Sequence, residues 1–270
     1  MAKTNRAIIG RAKSGPIMSA NANSGTPADN TNQEAPRPIT LDGPAGSGKS
    51  TVAKILADKL GYIHADSGAM YRTVTLALME KLSPGASHPE FAEKLAGESP
   101  DFRELGCAVA LVDGKQANLI QGESVGDRIR TPEVTARIRY IADNRAYREA
   151  VNELLRDFAR QAPLVVDGRD IGTVVFPDAP CKFFLEASAR IRAERRLGEF
   201  QEKGHLSQDA GDQESQLKRL EADIERRDAE DRSRPFGALK QAEDAILIDT
   251  SGLDINAVVS QLLSYLQIKF

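Results

Sequence analysis

With 270 residues, of which 41% are hydrophobic and 28% charged, the chain has room for one large domain or for a core carrying an insertion. Its 36 Lys+Arg and 39 Asp+Glu leave a net charge of −3, which argues against a protein built to grip nucleic-acid backbone, and no apolar run reaches the roughly 18–20 residues that a membrane helix needs. Cys107 and Cys181 have neither metal-ligand nor redox spacing and no secretory apolar segment opens the chain, so the expected setting is a reducing cytoplasm with no membrane partner.

Residues 1–37 are rich in Ala, Ser, Asn, Gly and Pro without a hydrophobic period, and are predicted to be a disordered tail. After Pro38 the pattern changes. Ile39-Thr40-Leu41-Asp42 reads as a strand, Gly43 to Gly48 as a loop, and Lys49 to Leu60 as a helix stopped by Gly61. Further apolar strands are expected at Tyr62–His64, Leu164–Asp167, Cys181–Leu185 and Ala245–Asp249, with helical patterns between them. Near-continuous apolar strands alternating with helices call for a parallel sheet covered on both faces, so the fold class is α/β. Between about 84 and 125, two strand-like runs flank Asp113-Gly114 and predict a small antiparallel insert, followed by a helix with Thr131 as N-cap and Pro132 at its first position. From 188 to 240 the chain holds 12 basic and 12 acidic residues, a density that a solvated helical pair explains unless its motifs say more.

The strongest motif is Gly43-Pro44-Ala45-Gly46-Ser47-Gly48-Lys49-Ser50, followed by Thr51 and set between a predicted strand and helix. Glycines let backbone N–H groups turn toward phosphate oxygens, and the helix start adds its positive dipole end. Lys49 is then expected to reach the β and γ phosphates of ATP, and the Ser50 hydroxyl to ligate Mg²⁺. Small-molecule kinases, GTPase switches and motor or transporter ATPases all share such a loop. The chain lacks the Asn/Thr-Lys-x-Asp signature that reads guanine, and about 230 ordered residues leave little room for motor modules.

A phosphotransferase also needs a cationic acceptor site near the strand ends. Asp66-Ser67-Gly68-Ala69-Met70-Tyr71-Arg72 offers a hydroxyl and an arginine one turn apart for an anionic acceptor. Asp167-Gly168-Arg169-Asp170 follows an apolar strand, with Asp167 placed to support Mg²⁺ and Arg169 to clamp phosphate. Arg227, Asp231 and Arg234 stand at i, i+4 and i+7 on one helical stripe able to close over a ligand, and Arg192, Arg195 and Arg196 lie on the helix before it.

Together, GPAGSGKST, DSGAMYR at 66–72, IRTPEV at 129–134, DGRDIGTVVFPDAP at 167–180 and RRDAEDRSR at 226–234 make residues 39 to about 266 resemble the bacterial cytidylate kinases. The resemblance implies a nucleoside monophosphate kinase fold with a five-stranded parallel core at 38–83 and 162–270. It also implies an inserted monophosphate-binding domain at 84–161, a mobile lid at about 195–236, and ATP-dependent, Mg²⁺-dependent phosphorylation of CMP or dCMP by a monomer. It assigns Ser67, Arg72 and Arg169 to the CMP phosphate and Asp170 to the sugar, and Arg148, Arg227, Asp231 and Arg234 to the cytosine side or closed lid. Lys49, Arg169, Arg195 and Arg227 are the expected catalytic cations. Two departures bear on base selectivity: Ile138-Arg139 stands where the family has Ala-Ser, and Glu123-Ser124-Val125 where it has Asp-Val-Thr. The alternatives are a kinase of UMP, AMP or a small metabolite such as shikimate, an ATP-binding regulatory protein, and, less supported by the acidic balance and absence of Trp, a nucleic-acid kinase.

Overall fold

Strand β1 (Ile39–Asp42) is buried along its whole length, as a strand covered on both faces must be, and it sits at the middle of the sheet. The computed structural model describes residues 37–82, 87–97, 101–202 and 210–269, so the predicted tail lies, except for Arg37, outside the described residues. In chain order α1 (Lys49–Leu60), β2 (Ile63–Asp66) and α2 (Ser67–Leu82) come next. There follow α3 (His88–Ala96), the single turn α4 (Phe102–Leu105), strands β3 (Cys107–Val112), β4 (Lys115–Ile120) and β5 (Glu123–Ser124), and helices α5 (Pro132–Ala142) and α6 (Arg145–Ala159). The remaining elements are β6 (Leu164–Gly168), β7 (Cys181–Glu186), α7 (Ala189–Glu202), α8 (Ala210–Ser233), β8 (Ile246–Asp249) and α9 (Ile255–Lys269).

The main sheet has five strands in the order β2-β6-β1-β7-β8, every pair parallel. The α/β expectation therefore holds. Parallel pairing brings Asp42, Asp66, Asp167, Glu186 and Asp249 to the same carboxyl edge, which is where ligands bind in open sheets of this kind.

The two faces of the sheet bury separate apolar clusters. One packs α1 and α9, through Leu56, Ala57, Val259 and Leu262, onto Leu41, Phe183 and Ile248. The other runs without a break from Leu164 and Val166 through Met70 and Leu78 of α2 to Phe102, Ile120, Ile141 and Tyr147. The described residues of the 84–161 segment thus share a core with the sheet by way of α2. Within it, β3 and β4 pair antiparallel from Cys107↔Ile120 to Val112↔Lys115. Asp113 (φ 49°) and Gly114 (φ 71°) supply the two left-handed residues that a tight hairpin turn demands. At the start of α5 the Thr131 hydroxyl accepts from the Val134 N–H at 3.3 Å, with Pro132 at the first position, as its sequence predicts. Helices α7 and α8 form the charge-dense pair and keep a small core of Ala193, Leu197, Leu217 and Ile224.

Candidate active site

The loop between β1 and α1 folds back on itself because its glycines permit it. Gly46 and Gly48 have φ of 78° and 85°, and a Cβ on Gly43 (φ 144°) would lie 2.1 Å from the Leu185 carbonyl oxygen of β7. Gly48 caps α1 without any side-chain hydrogen bond, so the first-turn N–H groups are left for an anion. Lys49 is buried, its Nζ donating to the Pro44 carbonyl at 2.6 Å and to Ser47 Oγ at 3.3 Å. Burial holds its pKa well below the ordinary lysine value, with Arg169 adding to the effect and Asp167 and Asp42 opposing it. Lys49 therefore sits among the residues of the carboxyl edge. Ser50 presents an exposed hydroxyl on the first turn of α1.

Two braces hold the loop from behind. The buried Arg192 of α7 donates to the Ala45 carbonyl at 3.0 Å, to the Ala187 carbonyl at 2.9 Å and to Asp228 Oδ2 of α8 at 2.6 Å. Thr250, after β8, donates to the Ser47 carbonyl at 3.3 Å and itself receives Arg195 at 3.1 Å.

Next come the acids. Asp42 accepts the backbone N–H groups of Ile171 (2.9 Å) and Gly172 (2.7 Å), anchoring the π-type turn Ile171–Val175 that follows β6. Burial pushes its carboxyl up to about 6, against the lowering effect of those two hydrogen bonds. Asp66 and Asp167 are register partners on β2 and β6. The Asp66 carboxyl is raised by burial and by the Asp167 charge beside it, and Asp167 Oδ1 meets His64 Nε2 at 2.7 Å. The neighbouring Asp66 and Asp167 carboxylates offer oxygen donors, the chemistry that suits Mg²⁺, an ion that completes its shell with phosphate oxygens and water. Ser67 Oγ donates to the Asp167 carbonyl at 2.7 Å, tying the start of α2 to β6.

The arginines fall into two groups. Arg72, Arg130, Arg196 and Arg227 lie near one another: burial holds Arg72 and Arg196 below the usual guanidinium range, with Arg130, Arg227 and Arg196 adding to the effect on Arg72 against Asp66, and Arg227 adding to it on Arg196 against Glu199 and Asp223, though a guanidinium so shifted stays charged. Arg72 is aimed by Thr135 Oγ1 of α5 at 2.7 Å and the Ile129 carbonyl at 3.4 Å. Among the described residues, Arg227 has no hydrogen bond or ion pair, so α8 presents its charge to the cleft unneutralised. Such convergence is what a phosphate dianion stabilises.

The second group is paired. Arg169 Nε donates to Asp231 Oδ2 at 3.1 Å, Asp231 Oδ1 receives Arg234 at 2.9 Å, and Arg234 Nε reaches Asp143 Oδ1 at 2.8 Å. This chain runs from the end of β6 through the end of α8 to the α5–α6 corner. Beside it the buried pair Arg148–Asp170 closes at 2.5 Å, with Arg148 also donating to the Ala142 carbonyl at 2.9 Å and the Gly237 carbonyl at 3.3 Å.

The structure thus gathers Lys49, Ser50, Ser67, Arg72, Asp167, Arg169, Asp170, Arg148, Arg227, Asp231 and Arg234 along one edge. Arg195 is placed differently from its expected catalytic position: its guanidinium is committed to the Thr250 hydroxyl and, at 2.5 Å, to the Thr250 carbonyl. The next residue, Arg196, is the one from α7 that joins the cationic group. Asp42, Asp228, Thr250, Asp143 and His64 carry contacts that sequence reasoning did not assign. Asp42 ends an apolar strand directly before the phosphate loop and Asp228 lies inside the quoted RRDAEDRSR run, and these were the available signals.

Comparison with known proteins agrees with the geometry. A family model described as cytidylate kinase matches residues 39–268. The cytidylate kinase of Lactobacillus johnsonii is 42% identical over 231 residues, covering 86% of this chain and 94% of the relative. That of Geobacter sulfurreducens is 41% identical over 229 residues, covering 83% and 90%, and that of Caldicellulosiruptor bescii 40% over 225 residues, covering 83% and 93%. A phosphate loop facing a cationic cleft, carried on a chain that matches from its first core strand to its last helix, places this protein in the cytidylate kinase family.

Proposed function

We propose that the chain transfers the γ-phosphoryl group of ATP to CMP or dCMP, yielding ADP and the corresponding diphosphate. The observation that carries this reading is the convergence of Arg72, Arg196 and Arg227 on the carboxyl edge that also holds Lys49 and the phosphate loop. An ATP-binding regulator has no need of a second, separate phosphate-sized cationic site.

The reaction is an in-line displacement. An oxygen of the acceptor phosphate, already anionic, attacks the γ-phosphorus, so no general base is required, and no covalent enzyme intermediate forms. Catalysis then rests on position and positive charge. Lys49 exchanges its bonds to Pro44 and Ser47 for phosphate oxygens, Arg72, Arg169 and Arg227 hold the acceptor phosphate, and Arg196 adds charge from α7. Mg²⁺, held through Ser50 and the Asp167 side, supplies neutralisation of the polyphosphate charge when bound. Arg195 acts here through Thr250 as a brace of the phosphate loop. Ser67 positions β6 against α2, while Asp170, Arg148, Asp231 and Arg234 form the nucleoside end. Asp231 fits cytosine, whose amino group donates to a carboxylate where uracil offers a carbonyl. Closure of the lid and the insert, residues 84–161, excludes water that would otherwise attack ATP. A reducing cytoplasm suits Cys107 and Cys181, both buried, with burial pushing the Cys107 thiol up to about 12. Among the described residues no helix is long and apolar enough to cross a membrane.

The test is a coupled ADP assay with ATP and Mg²⁺ against CMP, dCMP, UMP, AMP and no acceptor. Turnover confined to CMP and dCMP is expected. Equal use of UMP would mean that Ile138-Arg139 has remade the base pocket.

A further inference from the structure

One polar atom at the nucleoside end takes no part in the contacts that hold the site together. Tyr71, within the DSGAMYR motif on α2, has its Oη buried, and among the described residues that oxygen finds no hydrogen-bond partner. Its ring lies under the Arg148 guanidinium, 5.4 Å from centroid to Cζ. The charges that act on its hydroxyl are those of Arg148, Asp170 and Arg234. These are the residues of the nucleoside end, whereas its neighbour Arg72 faces the end where Arg130, Arg196 and Arg227 gather and where Asp66 is the acid that acts on it. A buried hydroxyl left without a partner costs free energy, so a fold that keeps one enclosed among three hydrogen-bonding side chains has a use for it. Mixed donors and acceptors suit the neutral polar edges of a sugar or base, where an array of cations alone suits phosphate.

We infer that Tyr71 is an acceptor-binding residue, whose hydroxyl makes a hydrogen bond to the nucleoside moiety of the monophosphate while its ring keeps Arg148 in position. The inference rests on the acceptor-site reading above. Burial pushes the phenol's pKa up, so the hydroxyl stays protonated and available as a donor at every working pH. The nucleotide reaches it when the Arg148–Gly237 and Arg234–Asp143 contacts of the lid and insert give way to contacts with the ligand.

Tyr71→Phe removes that single oxygen and keeps the ring. In the full chain, calorimetry should show CMP binding weakened about three- to tenfold, the worth of one neutral hydrogen bond, with ATP affinity changed less than about twofold. Without ligand the melting temperature should hold or rise, because the lost hydroxyl had no partner to lose. CMP affinity unchanged in Tyr71→Phe would overturn the inference, as would a lower melting temperature accompanied by equal losses for CMP and ATP, since that marks a structural role. Wild-type protein that binds no CMP would overturn the acceptor reading itself and the inference with it, a result distinct from binding that the variant leaves intact.

Discussion

Replacing Asp228 with Ala tests how α8 is joined through Arg192 to the phosphate loop. Asp228 and Arg192 are a buried pair, their side chains 4% and 5% exposed, with Oδ2 2.6 Å from the guanidinium. Removing the carboxylate strands a charge in the interior, which costs about 3–5 kcal/mol. Two details place the expected loss at the low end of that range. Asp228 Oδ1 is already buried without a partner among the described residues, and Arg192 keeps its bonds to the Ala187 and Ala45 carbonyls. At roughly 2–4 °C per kcal/mol for a body of this size, a loss of about 3 kcal/mol lowers the melting temperature by about 6–12 °C. With Asp228 gone, the Arg192 guanidinium keeps its carbonyl bonds but loses the partner that orients it, so its hold on the Ala45 carbonyl loosens and KM for ATP rises. The control is Arg192→Met combined with Asp228→Leu, which removes both charges and should recover most of the stability while leaving KM for ATP raised. Thermal denaturation and ATP kinetics on the three proteins decide the matter. A fall below about 2 °C for Asp228→Ala, or a double variant no more stable than the single one, would refute the reasoning.

Two further outcomes are expected. Lys49→Ala should cut turnover by about 10²–10³-fold with the melting temperature unchanged or higher, because the ammonium it removes is buried; turnover within tenfold of wild type would show that Lys49 does not face the reacting phosphates. Asp42 binds a proton more tightly folded, near pH 6, than unfolded, near 3.8, so its contribution to stability is full below about pH 4 and declines as pH rises through 6, by up to about 3 kcal/mol; Asp42→Asn should flatten that part of the stability curve, and identical curves for the two proteins would contradict it.

The parts of this protein that could be read from sequence are those whose physics is local. The phosphate loop is a single run of eight residues whose glycine φ values follow from its composition, and the Asp113-Gly114 hairpin and the Thr131 cap are equally self-contained. Five apolar runs with helical spacers pointed to a parallel sheet, and the three central strands, β6, β1 and β7, have the burial on both faces that explains their unbroken apolar character. What escaped was every pairing across long chain separations. Asp42 caps a turn 129 residues away, His64 meets Asp167 across 103, and Thr250 reaches Ser47 across 203. Nothing local distinguishes these side chains from solvated ones. Arg195 and Arg196 make the point most sharply. They are adjacent on α7, about 100° apart around the helix, so one turns to Thr250 and the other to the cleft, and only the packing of α7 against α8 decides which.

The most direct test of the central claim, that the loop and the cationic cleft form one transfer site, is the rate of ADP formation by the full chain with ATP and Mg²⁺, measured with saturating CMP and again with no acceptor. The rate with CMP should exceed acceptor-free hydrolysis by orders of magnitude, with CDP formed in equal amount to ADP. Equal rates with and without CMP, in a protein that binds ATP, would contradict it.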